Sequence, residues 1–200
     1  HLSPRDTATQ RVHRHHLTIA PEPASTHRSR DAFGNLRTFF AQQAPHEVLS
    51  VVADSTVHTR APQPLPEGAP WKAMGWERVR EHFRYRVNAP YEAAAEFVFA
   101  SPLVPRDEAF STWARPAFAS GTPVLHAVRA LMERIHSELQ YETASTEVST
   151  PALEALEQGK GVCQDFAHIM IGCPRSLGLP ARYVSGYLLT QPPPGQARMI

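Results

Sequence analysis

The sequence predicts an α+β fold in two domains, because its apolar residues change their spacing partway along the chain. Residues 1–60 have the partial alternation that is typical of strands, whereas later segments repeat apolar residues at helical spacing. The proline-rich stretch APQPLPEGAP at 61–70 separates them and has the composition of a linker. We therefore predict a small β-sandwich-like module at 1–65 and a second domain at 66–200.

The first domain is predicted to consist of strands that are joined by turns. Its expected strands are 11–19, 36–40 and 47–52, the last continued by 55–59. The first of these, RVHRHHLTI, partly alternates apolar and polar residues. The stretch SRDAFGN at 29–35 has turn composition, and Gly34 and Asn35 both tolerate a positive φ. We therefore expect the chain to reverse direction before the second strand.

Two helix starts are marked in the second domain. Thr122 is suited to cap a helix and Pro123 to occupy its first position. The dipeptide Thr150-Pro151 is a similar signal and predicts a short helix over ALEALEQ. The longer helix, after Pro123, is supported by apolar residues at helical spacing, namely Leu125, Val128, Leu131, Met132, Ile135 and Leu139.

A third helix is predicted from Val162 to Leu177. Gly178 and Pro180 follow it as a typical helix end, and Arg182–Leu189 is predicted to be a strand. Pro174 lies inside this helix, where a proline costs about 3 kcal/mol or bends the helix. It is three turns from the helix start, so the first turn is expected to form normally.

The composition excludes several classes of function. Lys and Arg number 20 and Asp and Glu 19, so no overall field attracts nucleic acid or a membrane surface. No apolar run approaches the roughly 18–20 residues of a membrane span. The polar start at His1 shows no secretory signal. With only Cys163 and Cys173, about 15 Å apart along one helix, no disulfide is expected. We expect a reducing, cytoplasmic location.

The stretch GKGVCQDFAH places Cys163 at the first turn of the third helix. This turn carries unpaired N–H groups and about half a positive charge, which favours a thiolate. The same N–H groups are able to bind the oxyanion that forms when a thiolate attacks a carbonyl. Gly159 and Gly161 leave the approach free of side chains. Cys163 is therefore a candidate nucleophile.

Cysteines have other common roles, as packing residues and as metal ligands. Most free cysteines are small buried hydrophobes, so position alone leaves Cys163 open between nucleophile and packing residue. Cys173 lies mid-helix on an apolar stretch and is expected to pack. A metal site formed by Cys163, His168 and Cys173 is rejected, because steps of five residues turn the side chains apart by about 140° each. No metal or cofactor is expected.

Four segments resemble the bacterial transglutaminase-like family. The hallmark is GKGVCQDFAHIM at 159–170, followed by RSLGLPARYVSGYL at 175–188. The stretch from Arg134 to Gly161 resembles the lead-in to this motif. Upstream, RDAFGNLRTFFAQQAPHEVLSVVADSTVHTR at 30–60 resembles the N-terminal β region of bacterial members. The resemblance covers nearly the whole chain and is weakest at 61–120.

The resemblance implies a papain-like fold in which Cys163 attacks a glutamine side-chain or peptide carboxamide of a protein or peptide substrate. A thioester forms, with the Cys163 N–H as a candidate oxyanion donor, and an amine or water resolves it. The His and Asp of the family's triad are expected on later strands, beyond Ile200. The core is therefore predicted to be incomplete at its C-terminal sheet, this chain alone to be inactive, and an exposed sheet edge to favour a homodimer.

Two alternative functions stay open at this point. The first is a non-catalytic transglutaminase-like module that binds protein, which the missing His–Asp segment favours. The second is an arylamine acetyltransferase-like thiol acyltransferase, which shares the triad chemistry but fits the surrounding motif less well. Retention of the whole GVCQDFAH motif favours the enzyme, since a binding module gains nothing from a thiol at a helix start.

No internal histidine is assigned as the base. His168 is about 140° around the helix from Cys163 and is expected to pack. His13 and His15 share a strand face and are able to hold a metal, but an exposed polar face is the preferred interpretation. The other histidines and tryptophans considered have no motif support or are expected in the core: His16, His126, His136, Trp71, Trp76 and Trp113.

Overall fold

A computed structural model of the chain describes residues 2–62, 70–143 and 150–187. It contains both helices and strands, which confirms the predicted α+β class. The chain divides into two compact units, Pro66–Ser185 and a second formed by His1–Leu65 with Gly186–Ile200. Most of the predicted linker at 61–70 lies outside the described residues.

The N-terminal unit contains two separate two-stranded antiparallel sheets. One pairs β1 with β4 from Gln10↔Thr59 to Ala20↔Ser50, and the other pairs β2 with β3 from Ser25↔Ala41 to Arg30↔Leu36. The strand bounds are Gln10–Ala20 for β1, Ser25–Arg30 for β2, Leu36–Ala41 for β3 and Ser50–Thr59 for β4.

The predicted strands are confirmed, with two differences. β4 is one continuous strand that begins three residues later than predicted. β2 was not predicted, because its sequence STHRSR has no apolar residue. It becomes a strand by pairing with β3, the strand that follows it. The turn between them has Gly34 at φ 79°, as expected, whereas Asn35 does not adopt a positive φ.

The second unit is built from five α-helices among the described residues. They are α1 (Trp76–His82), α2 (Glu108–Ala114), α3 (Val124–Glu138), α4 (Ala152–Gln158) and α5 (Cys163–Ser176). Short 3-10 helices cover Pro70–Ala73, Ala93–Val98 and Arg115–Ala117, and β5 (Gln140–Tyr141) pairs in parallel with β6 (Lys160–Gly161). None of the helices in the described part of the chain has the length and hydropathy needed to cross a bilayer.

The core of this unit surrounds α5, which packs against α2, α3 and α4. Gly172 allows a close approach of α2 to α5, since a Cβ there would lie 3.1 Å from three ring atoms of Phe110. Pro174 is buried inside α5, and the helix nevertheless continues to Ser176. The buried apolar cluster is formed by Trp76, Phe110, Ala114, Ala117, Phe118, Ala127, Leu131, Ile135, Leu139, Ala152, Ala155, Ile169, Cys173 and Leu179.

Two predictions about this unit were wrong. Thr122 does not cap α3: Pro123 is the residue before the first helical turn, and the Thr122 carbonyl instead accepts the N–H of Trp76. The predicted strand at 182–189 is not formed over 182–187, which has no regular structure, and its last two residues lie outside the described residues. An alternating sequence needs a partner strand to become a strand, and residues 182–187 pair with none in the described chain.

Candidate active site

The turn between α4 and α5 holds Cys163 in place through backbone pairing. Gly159 ends α4 with φ 66°, a left-handed conformation that favours glycine. Its carbonyl accepts the Gln140 N–H at 2.9 Å, and the Gly161 carbonyl accepts the Glu142 N–H at 3.0 Å. The segment that leads into α5 is therefore anchored to the chain that follows α3.

Asp165 locks the first turn of α5. Its Oδ2 accepts the N–H of Val162 at 2.8 Å, so an acid in the first turn reaches back to the residue before the helix. The side chain is 1 % exposed. A Cβ on Gly161 would lie 2.7 Å from Asp165 Oδ2. Gly161 therefore makes room for the carboxylate, a reason that sequence alone did not reveal.

Cys163 is the first residue of α5 and is exposed to solvent. It sits where the first N–H groups of the helix lack intrahelical partners and the helix dipole is positive. Both effects favour a negative charge on a carbonyl oxygen that is bound beside the thiol. The predicted geometry of the thiol is therefore present, while its catalytic role stays a prediction.

Cys173 is in the opposite situation. It is buried in the core and carries no disulfide, which confirms its predicted packing role. Burial raises the pKa of the Cys173 thiol to about 12, although the positive charge of Arg134 partly opposes this. At neutral pH this sulfur is therefore protonated and inert.

The side chains beside the α5 start add an aromatic and a charged contact. Tyr141 is 60 % exposed and its ring meets the Phe166 ring edge-on, with the centroids 6.4 Å apart. Lys160 of β6 forms an ion pair at 3.3 Å with Glu142, the residue that follows β5. Both contacts join the chain at 141–142 to the segment around Cys163, and both were missed because the parallel pairing of β5 and β6 leaves no short-range signal.

The structure does not bring a histidine to Cys163 within the described residues, where no hydrogen bond joins an imidazole to its thiol. His168 is 8 % exposed and its ring lies 5.4 Å from that of Tyr183, as the packing prediction requires. Burial lowers the pKa of His168; the charge of Asp165 opposes this and that of Arg175 adds to it. His126 and His136 are exposed on α3.

The histidines of β1 belong to the other unit. His15 bonds Ser3 Oγ through Nε2 at 2.7 Å and Ser55 Oγ through Nδ1 at 2.8 Å, so both ring nitrogens have partners. His13 meets His58 edge-on across the sheet, with ring centroids 6.2 Å apart. In the part of the chain that the structure describes, no group of three or more His, Cys, Asp or Glu side chains is placed to hold a metal ion.

The tryptophans have structural positions. Trp76 is 8 % exposed in the core, and its indole N–H donates to the Ala119 carbonyl at 3.1 Å. Trp113 packs beside the core with the Arg134 guanidinium 4.5 Å from its ring centre. The side chain of Trp71 lies outside the described residues. These contacts do not place Trp76 or Trp113 in a cleft beside Cys163.

Comparisons with known proteins agree with these observations. The profile of the transglutaminase-like superfamily matches residues 111–198, and that of the bacterial transglutaminase-like N-terminal region matches residues 1–58. Uncharacterized proteins of Mycobacterium bovis and Mycobacterium tuberculosis are 38 % identical over 199 residues, and one of Mycobacterium leprae is 32 % identical over 187. These alignments cover 100 %, 100 % and 94 % of this chain but only 62 % of each relative.

A solved structure shows the fold. The crystal structure of a candidate cysteine protease from Cytophaga hutchinsonii matches with a TM-score of 0.62 and 20 % identity. The match covers 88 % of this chain and 56 % of that one. The chain therefore spans less than two thirds of the length of the relatives and of the structure that it matches.

Proposed function

Because the chain belongs to the transglutaminase-like superfamily, we propose that Cys163 is the nucleophile of an enzyme that acts on protein or peptide carboxamides. The observation that supports this most is the exposed thiol on the first turn of a helix of 14 residues. A buried or mid-helix cysteine, such as Cys173, would lack both access and the favourable dipole. The reaction is acyl transfer or hydrolysis through a thioester.

The proposed chemistry has two halves. The Cys163 thiolate attacks the carboxamide carbon, a C–S bond forms, and the oxyanion is held by the N–H of Cys163. The C–N bond then breaks, and the nitrogen leaves as ammonia or an amine after it takes a proton from a general acid. In the second half an amine or water attacks the thioester, loses a proton to the base and releases the thiolate. No atom outside substrate, acceptor and protein is required.

The general base is proposed to come from outside the described residues, as a histidine that an aspartate orients. His168 is unsuited to this task, because it is 8 % exposed and packs against Tyr183. The Asp165 carboxylate is also committed elsewhere, to the N–H of Val162. The geometry around Cys163 therefore supports a nucleophile and an oxyanion donor, and the general base is proposed to lie outside the described residues.

The decisive experiment compares Cys163→Ala with Cys173→Ala in the full-length product of the gene that encodes this chain. A glutamine-containing peptide is incubated with hydroxylamine, and ammonia and hydroxamate are both measured. Ammonia with hydroxamate indicates acyl transfer to an amine, and ammonia alone indicates hydrolysis. We expect Cys163→Ala to lower ammonia release by roughly a thousandfold or more, and Cys173→Ala to change it by less than threefold. Equal activity in the two variants would exclude the proposal.

A non-catalytic binding module is the second candidate, and the absence of a histidine bonded to Cys163 in the described residues favours it. This candidate predicts that the same peptide binds but releases no ammonia. It also predicts that Cys163→Ala leaves the Kd unchanged. Calorimetry on the wild type and on Cys163→Ala therefore separates the two functions without any turnover.

A further inference from the structure

A cavity of about 260 Å³ lies beside α5 and takes no part in the chemistry proposed for Cys163. We call it the α5 cavity. Its wall includes the apolar side chains of Leu103, Val104 and Ile171 and the polar side chains of Ser101, His168, Arg175 and Tyr183. His168 and Arg175 lie about 7.5 and 18 Å along the helix axis from Cys163. The cavity is therefore separate from the nucleophile.

Arg175 brings a positive charge to this cavity. Its Nε donates to the Ala181 carbonyl at 2.9 Å and its Nη1 to Ser101 Oγ at 3.2 Å. Burial lowers the pKa of its guanidinium, and none of the ion pairs within the described residues involves it. A guanidinium has five N–H donors, so several remain. A partly desolvated cation of this kind is stabilised when an anion binds.

His168 also lines the cavity and is 8 % exposed. Its Nδ1 is buried and has no hydrogen bond to the described residues. About nine in ten buried polar groups in proteins are hydrogen-bonded, so this nitrogen is an exception. Burial also lowers the pKa of the ring, so His168 is neutral at physiological pH and offers one N–H donor.

We propose that the α5 cavity binds the carboxylate of a small apolar molecule, with Arg175 as the charged partner and His168 as a second donor. A guanidinium binds a carboxylate in a bidentate arrangement that its planar shape matches. A single cation balances a monoanion, whereas a phosphate dianion would leave one charge uncompensated in a partly buried site. Leu103, Val104 and Ile171 provide the surface for the apolar part.

Two sources of a carboxylate fit this cavity, the C-terminus of a peptide and a free branched acid. The cavity is smaller than the roughly 300–1,000 Å³ of sites for drug-sized ligands, so it takes a group of about one amino-acid residue. N-acetyl-leucine represents the C-terminal carboxylate of a peptide, and isovalerate represents a free branched acid. Tighter binding of N-acetyl-leucine assigns the site to a peptide C-terminus, and equal or tighter binding of isovalerate assigns it to a free acid. Either result supports a carboxylate site.

The test measures binding by calorimetry, with N-acetyl-leucine amide as the neutral control of the same shape. We expect the amide to bind at least tenfold more weakly than the acid. We also expect Arg175→Gln to weaken binding of the acid at least tenfold. Arg129→Gln, which changes an exposed arginine of α3 that pairs with Glu133, should leave the Kd within twofold. Equal binding of acid and amide, or no effect of Arg175→Gln, would overturn the proposal.

A measurement on the wild-type chain keeps the test valid if Arg175→Gln fails to fold. The ring resonances of His168 are followed by NMR while N-acetyl-leucine and its amide are added in separate titrations. We expect the His168 ring resonances to shift and reach saturation as the acid is added. The amide should need at least a tenfold higher concentration to produce the same shift. A His168 ring that does not respond to the acid places any binding elsewhere and refutes the assignment.

Discussion

The two ends of α5 contain the same chemical group in opposite surroundings. Cys163 opens the helix and is exposed, whereas Cys173 lies ten residues later and is completely enclosed by the core. At the first end, backbone pairing and a buried carboxylate hold the turn; at the second, Phe110 and its neighbours exclude solvent. The contrast teaches that position on a helix, rather than residue type, decides whether a thiol is available for chemistry.

The largest effect should appear in the alkylation of the two thiols. Because burial raises the pKa of Cys173 from 9.0 to about 12, its thiolate fraction at neutral pH falls about a thousandfold. We expect iodoacetamide to modify Cys173 at least about a thousandfold more slowly than Cys163, measured by site-resolved mass spectrometry between pH 7 and 9. In guanidinium-unfolded chain the two rates should converge. Similar rates in the folded chain would show that the contrast is absent.

A second prediction tests the packing at the buried end. Gly172→Val places methyl groups against the ring of Phe110, which is fully buried and already 3.1 Å from the position of a Cβ. We expect a loss of about 1–3 kcal/mol in the free energy of unfolding, measured in urea. Gly186→Val is the control, since a Cβ there has nothing within 4 Å and we expect it to change stability by less than about 0.5 kcal/mol. Equal losses would mean that α5 and α2 are not closely packed.

A third and smaller effect concerns the capping carboxylate at the exposed end. Asp165→Ala removes the acceptor for the Val162 N–H, which lies 2.8 Å from Oδ2. We expect a loss of about 1–2 kcal/mol in thermal or chemical unfolding, because a lost cap of this type costs that much. Glu154→Ala changes an exposed acid in the first turn of α4 and serves as the matched control. If both variants unfold alike, Asp165 does not hold the turn.

The smallest effect is the pH dependence due to His168. Burial lowers its pKa in the folded state, so the unfolded chain binds more protons once the pH falls below about 6.5. Its contribution to stability is therefore complete above pH 6.5 and decreases as the pH falls toward the lowered value. Between pH 7.5 and 5.5 we expect the wild type to lose a few tenths to about 1 kcal/mol more than His168→Gln. His126→Gln, an exposed substitution, should behave as wild type.

The sequence by itself predicted the features that depend on near neighbours along the chain. Helical periodicity predicted α3, and the Gly178–Pro180 signal marked the end of α5 close to Ser176. The GVCQDFAH motif located the exposed thiol, and the apolar setting of Cys173 predicted its burial. These signals are local because a helix bonds residues four apart and presents one face to the core.

Tertiary structure decided what depends on distant partners. The short strand β5 exists because it pairs with β6, which follows the whole of α4, whereas 182–187 has a strand pattern but no strand beside it in the described chain. His168 faces a cavity because residues 101–104, from a much earlier part of the chain, complete its wall. Pairing and burial of this kind are contacts between segments that the sequence lists far apart, so only the folded chain brings them together.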